Sequence, residues 1–463
     1  MIPEVNFSSG DMMAVLWRGR LKELIPLIIS VMLLPIGLMA QTSSPTAGAA
    51  SQPVVFGNGL QTPLRFAGES VLTNQVSLSM GASTFYDDNV LQRNSDRIRD
   101  EGVNFNSDLK FLRQTENVTF SFDYQPQFLL YNNTSQFDRL NHLGTLNLTG
   151  RLSSRFYIGL FDTFSYQNGA FQSLAGQQIL SGLSSPTALN QSIIPYTVRT
   201  LANTSGLNLS FVKSHRTSLT FSGSYDERQF GSHQIVGQSL YNSREASGGF
   251  QFQYRVTEHT SFGLALLHQD STYKGGTGFG SDRRFQNESA FFSLQSQVSP
   301  TVTLAFFGGP AYLTSFGQAA GGGALRQFEG SGGGSITKEV KKTALDLSVQ
   351  RAISDSGGLY TIVENTMANF GVRRRLAGRW EAGLHGGATR AETSLLNLGS
   401  GRTDALIGGF DLVRPFSNGS AFHVSYQTFH QLSSGSVPVA ANFDRDVVTV
   451  AIDFRLKAIP LGH

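Results

Sequence analysis

From Asn74 onward, the chain repeats one pattern, in which apolar and polar residues alternate over segments of about 10 residues. In one segment Val118, Phe120 and Phe122 share a parity, while Thr119 and Ser121 occupy the other. Segments with the same alternation lie at 207–211, 250–254, 345–349 and 448–456. Because successive side chains of a β-strand point to opposite faces, each segment is predicted to be a strand with one apolar and one polar face.

The connections between these segments also alternate in length. Short turns are expected at 114–117, 153–155, 213–217, 256–260, 299–301, 341–343, 376–379 and 415–420. Longer loops are expected at 87–101, 132–141, 167–199, 227–245, 274–287, 315–327, 353–363, 393–403 and 432–444. This order predicts 18 antiparallel strands, with 16 as the next choice. The strand at 76–86 would pair with the last one and close the sheet into a single transmembrane β-barrel.

The composition agrees with such a barrel. Only 15% of residues are charged, whereas soluble proteins carry about 25%, and the mean hydropathy is only −0.12. A soluble β-sandwich or propeller would alternate as well. We disfavour these folds because nearly every strand has an apolar face and short and long connections alternate strictly.

The N-terminal segment is predicted to be a secretory signal. Arg18, Arg20 and Lys22 precede an apolar stretch at 24–39, and Ala40 marks the expected cleavage point. A single membrane anchor is the alternative, but the stretch is shorter than the about 20 residues that a spanning helix needs. We therefore expect a signal peptide at 1–40, a flexible periplasmic lead-in at 41–72, a barrel at 73–463 and a location in the bacterial outer membrane.

Charge and cysteine content exclude several classes of protein. The chain has no Cys and a net charge of +3, which excludes disulfide scaffolds and thiolate metal sites and does not suggest a nucleic-acid partner. The expected partners are outer-membrane lipid and small hydrophilic solutes or saccharides. The sequence leaves open whether copies of the chain associate as a homo-oligomer.

A barrel of 16–18 strands leaves a water-filled lumen, so the sequence predicts a channel for diffusion of small solutes. The candidate lumen-facing residues are Asp123, Gln125, Asp346, Arg373, Glu381, His385, His423, Asp453 and Arg455. They permit two interpretations, a solvated wall without fixed selectivity or a transverse field between acidic and basic clusters.

The longest loop, at about 168–200, has few charges and several apolar residues. It is either a mobile external loop or a segment that folds into the lumen and narrows it. The candidate constriction residues are Phe171, Leu174, Gln177 and Gln178.

We expect no enzyme, cofactor or metal. His142, His385 and His423 have no Ser or Asp partner at a spacing that indicates a catalytic group. A lipid enzyme would need polar groups clustered on the lipid face, and the expected lipid faces show none. Asp87-Asp88-Asn89 could offer oxygen ligands to Ca²⁺, but an aromatic pair followed by a polar loop explains the motif as well.

Two short motifs carry a family resemblance. The first strand ends in Tyr86-Asp87-Asp88-Asn89-Val90, and the next loop contains Arg93, Asp96, Arg97 and Arg99. The Lys341-Lys342-Thr343 turn is followed by alternating residues and then by Ser356-Gly357-Gly358-Leu359-Tyr360. These features resemble outer-membrane β-barrel porins found in exopolysaccharide-export gene clusters. The resemblance implies polysaccharide passage and transfers no catalytic residue. A non-conducting surface barrel linked to exopolysaccharide, and a barrel lipid enzyme, stay as alternatives.

Overall fold

A computed structural model describes residues 74–461, except for 93, 96, 169–198, 232–233, 236–237, 240, 276–282, 317–323, 355–362, 393–400, 417–418 and 436–441. The signal peptide and the lead-in predicted at 1–40 and 41–72 lie outside the described residues. Within these described parts, no helix is long and apolar enough to cross a bilayer.

The described chain is almost entirely β-sheet. Its 18 long strands, numbered β1 to β18 in chain order, are Gln75–Asp87, Asp100–Gln114, Val118–Tyr131, Arg139–Arg151, Phe156–Asn168, Arg199–Ser214, Thr217–Phe230, Tyr241–Arg255, Thr260–Gly275, Arg283–Ser299, Val302–Phe316, Leu325–Val340, Thr343–Ser354, Val363–Arg375, Glu381–Glu392, Gly401–Pro415, Ala421–Gly435 and Phe443–Arg455. Two short 3₁₀ turns, Ser135–Phe137 and Ala377–Arg379, a hairpin of two two-residue strands after β7, and the two-residue strand Ile459–Pro460 complete the described elements.

The sheet closes on itself. Each long strand pairs antiparallel with the next, and β1 pairs with β18 from Ser79 opposite Arg455 to Asp87 opposite Val447. The two-residue strand Ile459–Pro460 continues this seam along the start of β1. The predicted closed barrel of 18 antiparallel strands is therefore confirmed. Closure removes the unpaired amide and carbonyl edge that a lipid environment does not tolerate.

The pairing register also sets the size of the barrel. A path that runs once around the barrel, perpendicular to the strands, returns to β1 about 22 residues away from its starting residue. With strands about 4.7 Å apart and a rise of about 3.3 Å per residue, this stagger corresponds to a tilt of about 40° and a backbone diameter of about 35 Å. The cylinder is wide enough to hold water or folded loops inside its wall.

The two faces of the wall differ as the alternation predicts. On β10, Phe292 is 53% exposed on the outer face, whereas its neighbour Phe291 is 8% exposed on the inner face. The same outer surface carries exposed Leu160, Phe306 and Phe370 on distant strands. A continuous belt of exposed aromatic and aliphatic side chains is the surface that a barrel presents to lipid.

Adjacent residues on β10 test this assignment of faces. We expect Phe292→Arg to lower the free energy of unfolding by about 2–4 kcal/mol, because an outward Arg meets acyl chains. Ser293→Arg places the same side chain on the inner, hydrated face and should change stability much less. Denaturant titrations of both variants in lipid vesicles measure the difference; equal losses would contradict the assignment.

Candidate functional site: the barrel interior

All nine residues predicted to face the lumen lie on the inner face of the wall. Asp123 and Gln125 alternate with exposed Phe128 and its outward neighbours on β3. The register on β13–β18 places the other seven candidates on the face opposite exposed Phe370, Leu384 and Tyr426. Whether these side chains line a conducting path stays a prediction.

The tilt brings several of these residues to one level of the wall. Because the strands are tilted, residues paired in the register differ in height along the barrel axis. When the height is calculated from the register and the tilt, five carboxylates lie at nearly the same height, about halfway along the strands. They are Asp108, Asp123, Asp346, Asp411 and Asp453. Lys110, Arg373 and Arg455 form a second layer, about two residues nearer the short-turn end. We call these two layers, on β13–β18 and β1–β3, the charged arc.

The opposite wall differs at this level. Among the described residues, the inner face of β4–β12 presents uncharged side chains there, including Thr145, Asn208, Ser222, Ser293 and Ser335. The interior at mid-height is thus divided into a charged arc and an uncharged arc, in which inward Phe161 and Phe307 lie among the polar side chains. The sequence predicted polar inner residues but not this division, because the division depends on the stagger of all the strands.

Carboxylates of the charged arc contact Lys and His side chains directly. Lys110 Nζ lies 2.7 Å from Asp108 Oδ2 and 3.5 Å from Asp123 Oδ2. His423 Nε2 lies 2.7 Å from Asp453 Oδ2. These contacts join neighbouring strands or positions along one strand, so the charges offset each other locally. A transverse field between acidic and basic clusters on opposite walls is not the arrangement found.

Two further pairs extend the charged arc. His385 Nδ1 lies 3.7 Å from Asp411 Oδ1, and Arg375 Nε lies 3.3 Å from Glu381 Oε1. Gln125 Nε2 donates to Asp123 Oδ1 at 3.0 Å. The structure thus brings Asp123 together with Gln125, and His423 together with Asp453.

Glycines let the acidic side chains lie flat against the wall. A Cβ atom at Gly383 would overlap the carboxylate of Asp411, and one at Gly81 would overlap that of Asp453. Each Asp therefore occupies space that an ordinary side chain on the neighbouring strand would fill. These carboxylates therefore stay near the backbone and do not extend toward the centre of the cylinder.

The interior changes toward the end that carries the long loops. On β10 the inner residues Phe285, Asn287, Ser289 and Phe291 are buried, whereas inner residues nearer the short turn are half-buried or exposed. Three apolar clusters occupy this end of the interior. They comprise Tyr273, Phe285 and Leu313; Phe85, Val90, Leu129, Tyr131 and Phe137; and Phe429 with Phe443. The mouth on the loop side is therefore packed.

The loop after β1 contributes to this packing. Val90 is fully buried against inner side chains of the wall, and Val90 N donates to Ile98 O at 2.9 Å. A buried ion pair anchors the start of the loop, because Arg445 Nη2 lies 2.6 Å from Asp87 Oδ2 with side chains 1% and 0% exposed. Asn89 Nδ2 donates to Asp444 O at 2.7 Å, which ties the loop to β18.

The loop after β3 completes this side of the mouth. The Asp100 carboxylate accepts hydrogen bonds from the backbone N of Thr134 at 2.7 Å and from its hydroxyl at 2.6 Å. These contacts hold Phe137 edge-on to Tyr131. The predicted constriction residues Phe171, Leu174, Gln177 and Gln178 lie outside the described residues. The sequence predicted both of these loops but not their packing at the mouth, although apolar Val90 and Phe137 within polar segments were a usable signal.

The residues considered as metal ligands or catalytic groups make other contacts in the structure. Among the described residues, no group of three acidic or His side chains is arranged to hold a metal ion. Asp87 binds Arg445 instead, and of the aromatic pair before it, Phe85 points inward while Tyr86 points outward. His142 lies on the outer face, where its Nδ1 is 2.7 Å from the Tyr124 hydroxyl.

One expectation about the outer face is wrong. The lipid face was expected to lack polar clusters, but Asp162, Asn203 and Ser205 form one there. Asp162 has the same parity as exposed Leu160 and Phe164. The segment alternates poorly, with aromatic residues in both parities, which concealed the orientation of Asp162.

No family model and no curated protein matches this chain. Solved structures with a similar fold include the FrpB iron transporter (F5-1 variant) from Neisseria meningitidis, with 9% identity, a TM-score of 0.43 and coverage of 83% of both chains. OccK2 (OpdF) from Pseudomonas aeruginosa in complex with glucuronate has 12% identity, a TM-score of 0.43 and coverage of 82% of this chain and 98% of that one. The siderophore receptor PirA from Pseudomonas aeruginosa has 10% identity, a TM-score of 0.41 and coverage of 84% and 81%. At these values the likeness concerns the fold, and no solute is inferred from it.

The buried pair at the mouth gives a test of the packing. We expect Arg445→Met to destabilise the protein by about 3–5 kcal/mol, because it leaves the buried Asp87 carboxylate without its cation. Arg284→Met removes an exposed pair with Asp270 on the outer rim and should cost less than about 1 kcal/mol. Equilibrium unfolding of both variants measures the losses.

The double variant Asp87→Asn/Arg445→Met controls for the loss of packing around the Arg445 stem. It should recover part of the stability, because no buried charge is left unpaired. A double variant no more stable than Arg445→Met would show that charge pairing is not what anchors this loop.

Proposed function

We propose that this chain is an outer-membrane channel through which small hydrophilic solutes or saccharides diffuse. The observation that carries the proposal is the closed cylinder of 18 strands with a polar inner face and a backbone diameter of about 35 Å. Barrels of this strand number are too wide for wall side chains alone to fill. The exposed apolar belt supports a location in a membrane, and cleavage of an N-terminal signal is part of the proposal.

The two arcs of the interior suggest which contacts the wall makes with a passing solute. Hydroxyl and amide groups on the uncharged arc can exchange hydrogen bonds with a passing solute. The charged arc offers carboxylate and guanidinium groups held close to the wall, which is chemistry suited to polyhydroxylated solutes. Together with the short resemblance to porins of exopolysaccharide-export clusters, this favours saccharides within the proposed range of solutes.

One observation favours a second candidate function. The loop-side mouth is packed with buried apolar clusters, which is what a non-conducting surface or structural barrel would require. The lipid-enzyme alternative has weaker support. The Ser205 hydroxyl donates to Asp162 Oδ2 at 2.7 Å, but no imidazole is among its described hydrogen-bond partners.

Planar-bilayer recordings of the refolded full chain separate these functions. A channel should give discrete conductance steps. Deletion of 90–98 should enlarge them by removing Val90 from the mouth, and deletion of 170–195 should enlarge them because one prediction from the sequence is that this loop narrows the lumen. A protein that stays silent before and after both deletions would contradict the channel. Release of fatty acid from phospholipid vesicles would instead indicate the enzyme.

The charged arc predicts the direction of ion selectivity. Its acidic layer contains more carboxylates than the basic layer contains Lys and Arg, so we expect a weak preference for cations. Asp346→Asn/Asp453→Asn should move the cation-to-anion permeability ratio toward one, as measured by the reversal potential in a salt gradient. Ser293→Asn on the uncharged arc is the matched control and should leave the ratio unchanged.

A further inference from the structure

The outer face of β5 and β6 carries a polar cluster where lipid should be. Asn203 Nδ2 donates to Asp162 Oδ2 at 3.2 Å, and Ser205 Oγ donates to the same oxygen at 2.7 Å. Ser205 Oγ also lies 3.1 Å from Asn203 Oδ1. We call these three residues the outer polar cluster. Asp162 and Ser205 are register partners on adjacent strands, so the cluster follows directly from the pairing of the sheet.

The cluster is enclosed by the apolar belt. Along β5, Asp162 lies between outward Leu160, 40% exposed, and outward Phe164, 39% exposed. On β6, exposed Leu201 lies on one side of the cluster, and Leu207 and Leu209 lie on the other. The carboxylate therefore lies within the hydrocarbon level of the wall and not at its polar boundary. Acyl chains donate no hydrogen bonds, so the Asp162 carboxylate relies on protein donors at this depth, and a covering protein surface would remove it from contact with lipid.

The backbone around the cluster is unusually accessible. Gly144 on β4 and Gly248 on β8 lie on the same outer face, and a Cβ atom at either would meet nothing within 4 Å. Gly223 on β7 is the register partner of Gly248, and a Cβ atom there would meet only the Ser247 carbonyl oxygen, at 3.8 Å. Small residues of this kind let two membrane-embedded elements approach closely.

A groove continues this surface away from the cluster. It has a volume of about 540 Å³ and begins at Gly248, and its outward lining includes Leu266, Ala290, Pro310 and Phe328. Phe328 is 70% exposed at the edge of the groove. The glycines lie on β4–β8 near the outer polar cluster, and the groove and Phe328 lie beyond them on β8–β12, on the wall opposite the charged arc.

We propose that a second copy of this chain covers the outer face of β4–β8, with the outer polar cluster within the contact. The cluster contains both acceptors, on Asp162, and donors, on Asn203 and Ser205. A surface with both kinds of group can satisfy an identical surface brought against it by symmetry. Membrane lipid cannot do so, because its polar groups lie at the boundary and its tails donate nothing.

The absence of Cys from the chain makes cross-linking a clean test. Leu207→Cys places a thiol on the outer face two residues from Ser205, where Leu207 is 38% exposed. Leu384→Cys is the matched control, because Leu384 is 50% exposed at a similar height on β15, next to the charged arc. In intact outer membranes, a short bis-maleimide should link two copies of the Leu207→Cys variant and should leave the Leu384→Cys variant unlinked.

Three outcomes would overturn the proposal: no product from either variant, equal products from both, or a product of the Leu207→Cys variant that mass spectrometry shows to contain a different polypeptide. Folding is checked separately by the heat-dependent migration of intact barrels on gels. The cross-linking comparison tests self-association even if the Asp162 variants described next fail to fold.

Asp162→Leu tests the role assigned to the carboxylate. It should weaken self-association in detergent about tenfold, as expected for the loss of a buried hydrogen bond to a charged group. Asp162→Asn keeps a hydrogen-bonding side chain and should retain most of the association. Sedimentation measures both. A monomeric wild-type chain, or an Asp162→Leu variant that is more stable with unchanged association, would show that the cluster faces lipid.

Discussion

The hydrogen-bonded seam between β1 and β18 is the interaction on which the rest of this structure depends. An open sheet would expose a row of amide and carbonyl groups to lipid, where each unpaired group costs several kcal/mol. Pairing of the terminal strands removes both edges at once. It also fixes the stagger of the strands, and the stagger determines which inner residues meet at each height. The charged arc and the packed mouth are both consequences of how the cylinder closes.

The inner wall carries carboxylate side chains that stay close to the backbone and do not extend into the lumen. Each mid-height Asp has a partner or a glycine beside it on the next strand, so its carboxylate stays near the backbone. The charged contacts in this barrel therefore join residues that are neighbours on the wall and not residues on opposite walls. Narrowing occurs elsewhere, at the loop end, where Val90, Phe137 and the inner aromatic residues pack as they would in a soluble protein core.

The strand count and the closure of the barrel were predictable because alternation and connection length are local properties of the sequence. The inner position of Asp346 or His423 followed from the same parity. The charged arc was not predictable, because it depends on the register between all neighbouring strands. The packed mouth was missed because Arg445 meets Asp87 across almost the whole chain and because Val90 meets side chains of β3 and of the loop after it, which alternation does not reveal. Asp162 was missed because aromatic residues occupy both parities of β5, which removes the contrast that marks its outer face.

The contacts at the seam have a consequence for the order in which the protein folds. Neighbouring strands are joined by short turns or single loops, so their pairing closes short segments of chain and can form early. The Asp87–Arg445 pair joins residues 358 positions apart and cannot form before the two terminal strands meet. The loop after β1 gains its anchor only at that moment. This ion pair is therefore among the last contacts to form, after the cylinder has closed, whereas Val90 packs against Leu129 and Phe137, which are near it in the sequence.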